Sequence, residues 1–449
     1  MKLVLSFGLL AILSLTLLFF YGPEFRSVTY TSADISNVIV VESENEQNLL
    51  DQDVVIEDNF FDDRETVQHV PLPPQVKAIY MSACVAGTPS FREDLVQLVR
   101  DTELNSIMID IKDYSGTLAF RPQSEFWLPA WQASKCGARD MKEFIEYLHE
   151  ENIFVIGRIT VFQDPFLSNK RPDWAVLRTD GSVWADFKGL GFIDVAAREY
   201  WDKVVDLAVD SYNLGFDELN FDYVRYPSDG NMRDIRFPHT ERSEFGTNRA
   251  VNLEAFFEYL HTAMTDPELF SKVRHENTGR EQSIPWTSAD TFGMTTTNFD
   301  DLSIGQIQER TAPYFDFVAP MVYPSHYPNG WAGFSNPNLY PYEIVYTAML
   351  GGVERMMATT TQVEGFQHTR IGTSTPAVFS KPAFGPERLR TWIQDFNYGG
   401  TYGPKEVRAQ IQGSYDAGVM DWMIWAPSNR YTKEALLPPD TYEVDISTQ

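Results

Sequence analysis

Apolar residues recur in two rhythms between residues 76 and 428. Short runs rich in Val, Ile, Phe, Tyr and Trp read as strands, and longer stretches with apolar residues three and four apart read as helices. The strand-like runs are "VKAIYMSA" (76–83), "SIMIDIKD" (106–113), "FVIGRITVF" (154–162), "ELNFDYVRYP" (218–227), "PWTSADTFGM" (285–294), "DFVAPMVYP" (316–324), "RLRTWIQDF" (388–396) and "MDWMIWAPS" (420–428). Between them lie helical patterns at 91–102, 141–152, 197–215, 251–264, around 341–360 and at 404–418. Gly215 sits where a helix C′ residue is expected, just before the fourth strand. Eight strands in alternation with helices predict an α/β fold, a (β/α)8 TIM barrel over residues 75–440, with an open doubly wound sheet as the second choice. No G-x-G-x-x-G turn follows the first strand and no P-loop pattern occurs, which argues against nucleotide binding.

The pattern changes before residue 75. An apolar run from Leu3 to Phe20 follows a single lysine, so residues 1–22 read as a signal anchor or signal peptide. No small-residue cleavage site adjoins the run, which favours an uncleaved membrane anchor. Residues 23–74 are polar and acidic and end in "PLPP", the composition of a disordered linker. The expectation is an extracytoplasmic protein, periplasmic or at the cell surface, tethered by its N-terminus. Cys84 and Cys136 are its only cysteines, and in an exported chain they pair or stay as free buried thiols. The formal charge of −27 excludes the basic footprint that a nucleic-acid partner requires.

Alternation within each strand assigns candidate chemistry, because barrel sites form at the C-terminal strand ends and alternate residues face the lumen. In the second strand Ile107, Ile109 and Ile111 share the helix-facing side, leaving Asp110 and Lys112 inward. The fourth strand carries Asn220 and Asp222 on one face, with Arg225 near the rim. Burying that face costs several kcal/mol unless its groups are paired or used. The fifth strand ends in Asp290 with Ser288 a layer below; the sixth ends in Tyr323 and His326; the seventh carries Gln394 and Asp395, of which the neighbours Leu389 and Ile393 favour Gln394 for the lumen. Arg158 on the third strand is placed to neutralise an acid, and a buried Asp110–Lys112 pair is the competing, purely structural reading.

Asp222 and Asp290 at the tips of adjacent strands would lie about 4.8 Å of sheet apart. Carboxyl groups about 5 Å apart suit a retaining glycosidase, with Asp222 as nucleophile and Asp290 as acid/base, whereas an inverting enzyme needs about 6.5 Å or more. Trp127, Trp131, Trp331 and Trp425 are candidates for stacking on sugar faces. None of the seven histidines forms H-x-H or H-x-x-x-H, and no cysteine pair has zinc spacing. No metal and no cofactor are assigned, although a carboxylate-bound Ca²⁺ or Mg²⁺ at Asp110 or Asp113 stays open. No G-x-S-x-G elbow is present for serine hydrolysis.

Taken together, "VKAIYMSACVAGT", "SIMIDIKDYSGTLAF", "ELNFDYVRYPSDG", "SADTFG", "DFVAPMVYPSHYPNG", "RTWIQDF" and "DWMIWAPSNRY" resemble the bacterial domain family described as "putative glycoside hydrolase", itself a distant relative of the α-amylase-type barrels. The resemblance spans Val76 to Thr432 and implies a TIM barrel and a carbohydrate substrate. In α-amylase-type enzymes the nucleophile follows the fourth strand, matching Asp222. Their acid/base is a glutamate after the fifth strand, where this chain has Asp290. Their third acid maps to Asp395, and their arginine two residues before the nucleophile is Asn220 here. The expectation is a hydrolase of an extracytoplasmic or cell-envelope polysaccharide, with Asp110, Lys112, Arg158, Asn220, Arg225, Tyr323, His326, Gln394, Asp395 and Trp425 around the substrate. The alternative is a catalytically inactive barrel that binds a carbohydrate or a partner.

Overall fold

A computed structural model describes residues 64–439. The anchor expected at 1–22 and the acidic stretch up to residue 63 lie outside the described residues. Among those described, no helix is long and apolar enough to cross a membrane.

Eight parallel strands close into a barrel in chain order: β1 (Lys77–Met81), β2 (Ser106–Lys112), β3 (Phe154–Thr160), β4 (Glu218–Asp222), β5 (Trp286–Phe292), β6 (Phe317–Met321), β7 (Arg390–Gln394) and β8 (Asp421–Trp425). Their pairing follows from composition. Ile107, Ile109 and Ile111 of β2 and Val155 and Ile159 of β3 face outward into the layer shared with the helices, while Met108, Phe154 and Ile156 fill the lumen with Ala78, Ala319 and Met423. Gly157 faces outward where a Cβ would lie 2.3 Å from Ile111 Cδ1 and 2.8 Å from the Phe216 ring, so no larger residue fits without moving that packing.

Among the described residues, six helices of at least ten residues surround the barrel: α1 (Pro89–Arg100), α2 (Met141–Glu150), α3 (Arg198–Leu214), α4 (Arg249–Met264), α5 (Pro341–Met357) and α6 (Pro404–Asp416). Gly215 ends α3 at φ 125°, a left-handed conformation that favours glycine. Two βα units are reduced: Gln308–Thr311 is the short α-helix between β5 and β6, and a 3₁₀ turn at Lys433–Ala435 follows β8.

Two sequence expectations change. The linker expected to reach residue 74 ends sooner, because Thr66–Gln68 forms a strand parallel to Arg274–Glu276, with Val67 buried and His69 bonded to Asp217. Lys112 does not face the lumen. The β2–β3 register shifts between Asp110 and Lys112, so Lys112 pairs opposite the outward-facing Ile159 and its ammonium meets Asp164 Oδ2 at 2.8 Å. The two cysteines, left open by the sequence, are joined as a Cys84–Cys136 disulfide.

Candidate active site

The lumen face of β4 sets the site in layers. Glu218 is deepest, and its Oε1 accepts from Arg390 Nη1 of β7 at 2.7 Å and from Ser288 Oγ of β5 at 2.6 Å. Asn220 is next, and its Nδ2 donates to Ser288 Oγ and to Asp290 Oδ1, both at 2.9 Å. Asp222 closes the strand. Its Oδ2 accepts from Arg158 Nε at 3.0 Å and Nη2 at 2.5 Å. Its Oδ1 accepts the Tyr223 backbone N–H at 2.5 Å. Tyr223 holds φ at 51°, a left-handed conformation that costs an aromatic residue about 1 kcal/mol or more and turns the chain sharply at the strand tip.

Arg158 is the electrostatic hub. Besides Asp222 it donates through Nη1 to Asp110 Oδ1 at 2.7 Å, while Tyr80 Oη donates to Asp110 Oδ2 at 2.5 Å. Tyr80 and Trp425 stack with centroids 4.1 Å apart, and the guanidinium lies 5.3 Å from the Trp425 centroid. Its charge therefore compensates two acids in a place nearly shut off from water. The resemblance to α-amylase-type barrels led to an arginine two residues before the nucleophile, a position that is Asn220 here. The guanidinium comes instead from β3, where Arg158 sits in register with Asn220.

Asp290 is 1% exposed and, among the described residues, has no cationic hydrogen-bond partner. Its Oδ1 accepts from Asn220 and from Trp392 Nε1, the latter at 2.8 Å. Burial, and then the charge of Asp222, push its carboxyl up to about 8, against the pull of those hydrogen bonds and of Arg158. At neutral pH it is an acid carrying its proton. Because Oδ1 already takes two N–H donors, the proton belongs on Oδ2.

Both aspartates line one cleft of about 850 Å³ at the C-terminal end of the barrel. Its walls are aromatic, with Tyr223, Phe292, Tyr323, Trp392, Phe396, Tyr398 and Trp425. Of the residues singled out from the sequence, Arg158, Asp222, Arg225, Asp290, Tyr323, His326 and Trp425 line this cleft. Asp110 and Asn220 lie behind the lining and act on it through Arg158 and Asp290. Gln394 braces the wall, accepting from the Ser325 N–H and donating to the Phe396 carbonyl.

Lys112 and Asp395 are placed elsewhere. Lys112 donates to the Thr160 carbonyl in addition to its pairing with Asp164. Asp395 accepts the Thr432 N–H and hydroxyl, both at 2.7 Å, and so fastens the segment after β8. Trp127 is buried against the Lys203 carbonyl, Trp131 packs on the main core, and Trp331 lies against Tyr327. Trp392 and Lys188 escaped the sequence reading. The first was within reach, since it shares the face assigned to Gln394 two residues on. Lys188 has no such signal, being brought in by a hairpin between β3 and α3.

A hypothetical protein from Ruminiclostridium thermocellum is 26% identical to the chain over 44% of it and 95% of its own length, with a TM-score of 0.37. The PgaB glycoside hydrolase domain from Bordetella bronchiseptica is 10% identical, covers 83% of this chain and 99% of its own, and has a TM-score of 0.50, a likeness of fold. The α-galactosidase TtGalA from Thermus thermophilus is 13% identical over 83% of this chain and 61% of its own, with a TM-score of 0.45. No curated protein matches the sequence significantly. Residues 78–431 match the family described as "Putative glycosyl hydrolase domain", and the chain belongs to that family.

Proposed function

We propose that this barrel is a retaining glycoside hydrolase in which Asp222 is the nucleophile and Asp290 the acid/base. The observation that carries the reading is the pair itself. Two carboxyl groups on adjacent strands open on one aromatic-lined cleft, one bound to a guanidinium and the other keeping its proton to about pH 8. Neighbouring strands run about 4.8 Å apart, a spacing that suits direct attack rather than an interposed water.

In the first step Asp222 Oδ1 attacks the anomeric carbon while Asp290 Oδ2 gives its proton to the departing glycosidic oxygen. The C–O bond breaks and a glycosyl ester forms on Asp222. Burial is the larger cause of the raised Asp290 pKa, but the ester removes the second, the Asp222 charge, and so favours an ionised Asp290 for the second step. There it takes a proton from water, the water oxygen attacks the anomeric carbon, and Asp222 is released as carboxylate. Trp425, Phe396 and Tyr398 offer flat faces for the sugar rings.

The substrate is an extracytoplasmic or cell-envelope polysaccharide, and the chain is held outside the cytoplasm by its N-terminal apolar segment. Support comes from the run Leu3–Phe20 and from the Cys84–Cys136 bond, which persists in oxidising compartments. The test is Asp222→Asn assayed on envelope polysaccharides. Turnover is expected to vanish while the variant keeps its fold by circular dichroism. Activity surviving that change would sink the assignment.

A further inference from the structure

The cleft is more basic than catalysis needs. At neutral pH its charged lining is Arg158, Lys188 and Arg225 against Asp222, with Asp290 protonated and burial holding the His326 pKa down, on a chain whose formal charge is −27. Arg158 is consumed by Asp110 and Asp222. Lys188 and Arg225 are not. Arg225 Nη1 donates to the neutral Tyr226 carbonyl and Ser228 hydroxyl, its guanidinium lies 4.8 Å from the Tyr223 ring centroid, and among the described residues it has no acid partner. Lys188 likewise has none.

The placement of Lys188 is built. It sits at the tip of the hairpin closed by the bridge Ala185–Gly191. Asp186 fastens that tip, its Oδ1 accepting the N–H groups of Lys188 and Leu190, both at 2.8 Å, and Gly189 at φ 79° completes the turn. Beside Lys188, Phe187 is 77% exposed. The tip thus fixes the backbone of Lys188 beside the cleft, with its exposed side chain on the lining and an uncovered aromatic ring next to it.

We infer that the substrate bears an acidic sugar, a uronic acid, seated next to the cleaved bond with its carboxylate between Lys188 and Arg225. The inference rests on the glycosidase reading of the same cleft. A neutral glycan would give neither cation a counter-charge, whereas a carboxylate in the cleft that both line would supply one, and the guanidinium is suited to a bidentate grip. The chain's overall negative charge does not oppose this. Charges beyond about 8 Å are largely screened at physiological salt, so the two nearby cations decide the fit.

The test separates binding from cleavage. Full-length Asp222→Asn protein is titrated with oligomers of galacturonate, glucuronate and mannuronate and with the same oligomers after reduction of their carboxyls to alcohols. One acidic oligomer is expected to bind at least about tenfold tighter than its reduced form, the worth of one charge-assisted contact. Lys188→Gln combined with Arg225→Gln should erase that preference while circular dichroism stays unchanged. Equal binding of acidic and reduced forms, binding of no acidic oligomer, or a preference that survives the double change would each overturn the inference. An acidic preference in a wild-type protein that cleaves none of these oligomers would uphold the inference and defeat the hydrolase reading.

Discussion

Asp290 is a carboxyl group that folding takes out of water and sets beside a second carboxylate, and both its chemistry and its cost follow from that. In the unfolded chain an aspartate ionises near pH 3.9, while in the fold it keeps its proton to about 8. Between those values the folded protein binds the extra proton, so this residue's contribution to stability falls as pH rises from about 4 to about 8 and then levels off. Asp290→Asn removes the effect. The variant should match the wild type in denaturant midpoint below about pH 4 and exceed it at pH 8. It should also lose about 100- to 10,000-fold in kcat, the range for a missing general acid. In the wild type, kcat/KM should fall as pH rises through about 8. An alkaline limb unchanged in a variant that retains activity without Asp290 would exclude it as the acid.

At the scale of single strands, alternation made most of the lumen legible. "ELNFDYVRYP" placed Asn220 and Asp222 on one face, and the layers Glu218, Asn220, Asp222 are what the structure contains. The same rule put Asp110 inward and then failed one step later at Lys112, because a register shift after Asp110 reverses the next side chain and nothing in "SIMIDIKD" announces it. In β7 the rule favoured Gln394 over Asp395 for the lumen, and Asp395 indeed turns to Thr432. The partner that matters most on that strand is Trp392, whose indole N–H lowers the Asp290 pKa by favouring the ionised form. Trp392→Phe keeps the ring and removes the donor, so the alkaline limb of the pH–rate profile should move upward. A downward move would mean that the indole acts on the site in another way. Arg158→Gln should be severe, at about 3–5 kcal/mol of stability, since Asp110 and Asp222 would lose their shared counter-ion.

The whole barrel was readable as eight βα units because each strand is an apolar run bounded by turns, whereas contacts between distant segments were not. The approach of Lys188 to the strand ends around Asp222 and Arg225 and the bond between Cys84 and Cys136 both join residues whose closeness no local pattern encodes. The disulfide ties the start of the β1–α1 connection to the segment before α2 across a sequence separation of 52. Closing a loop of that length restricts the unfolded chain by about 4 kcal/mol in the chain-entropy account. Cys84 is exposed, so a reductant can reach it. Reduction should lower the guanidinium midpoint by an amount equivalent to a few kcal/mol, and an unchanged midpoint would show that the bond does not form in the protein. Cys84→Ser should reproduce the reduced behaviour.

The central claim is that Asp222 is the covalent nucleophile, and the most direct measurement is mass-spectrometric mapping after incubation with an activated 2-deoxy-2-fluoro glycoside of a cleaved substrate. Fluorine at C2 slows release of the glycosyl ester, so the account predicts one sugar per chain, carried by the peptide containing Asp222, in the wild type and not in Asp222→Asn. A label on another carboxylate, or an enzyme that turns over its substrate with inversion and takes up no label, would contradict it.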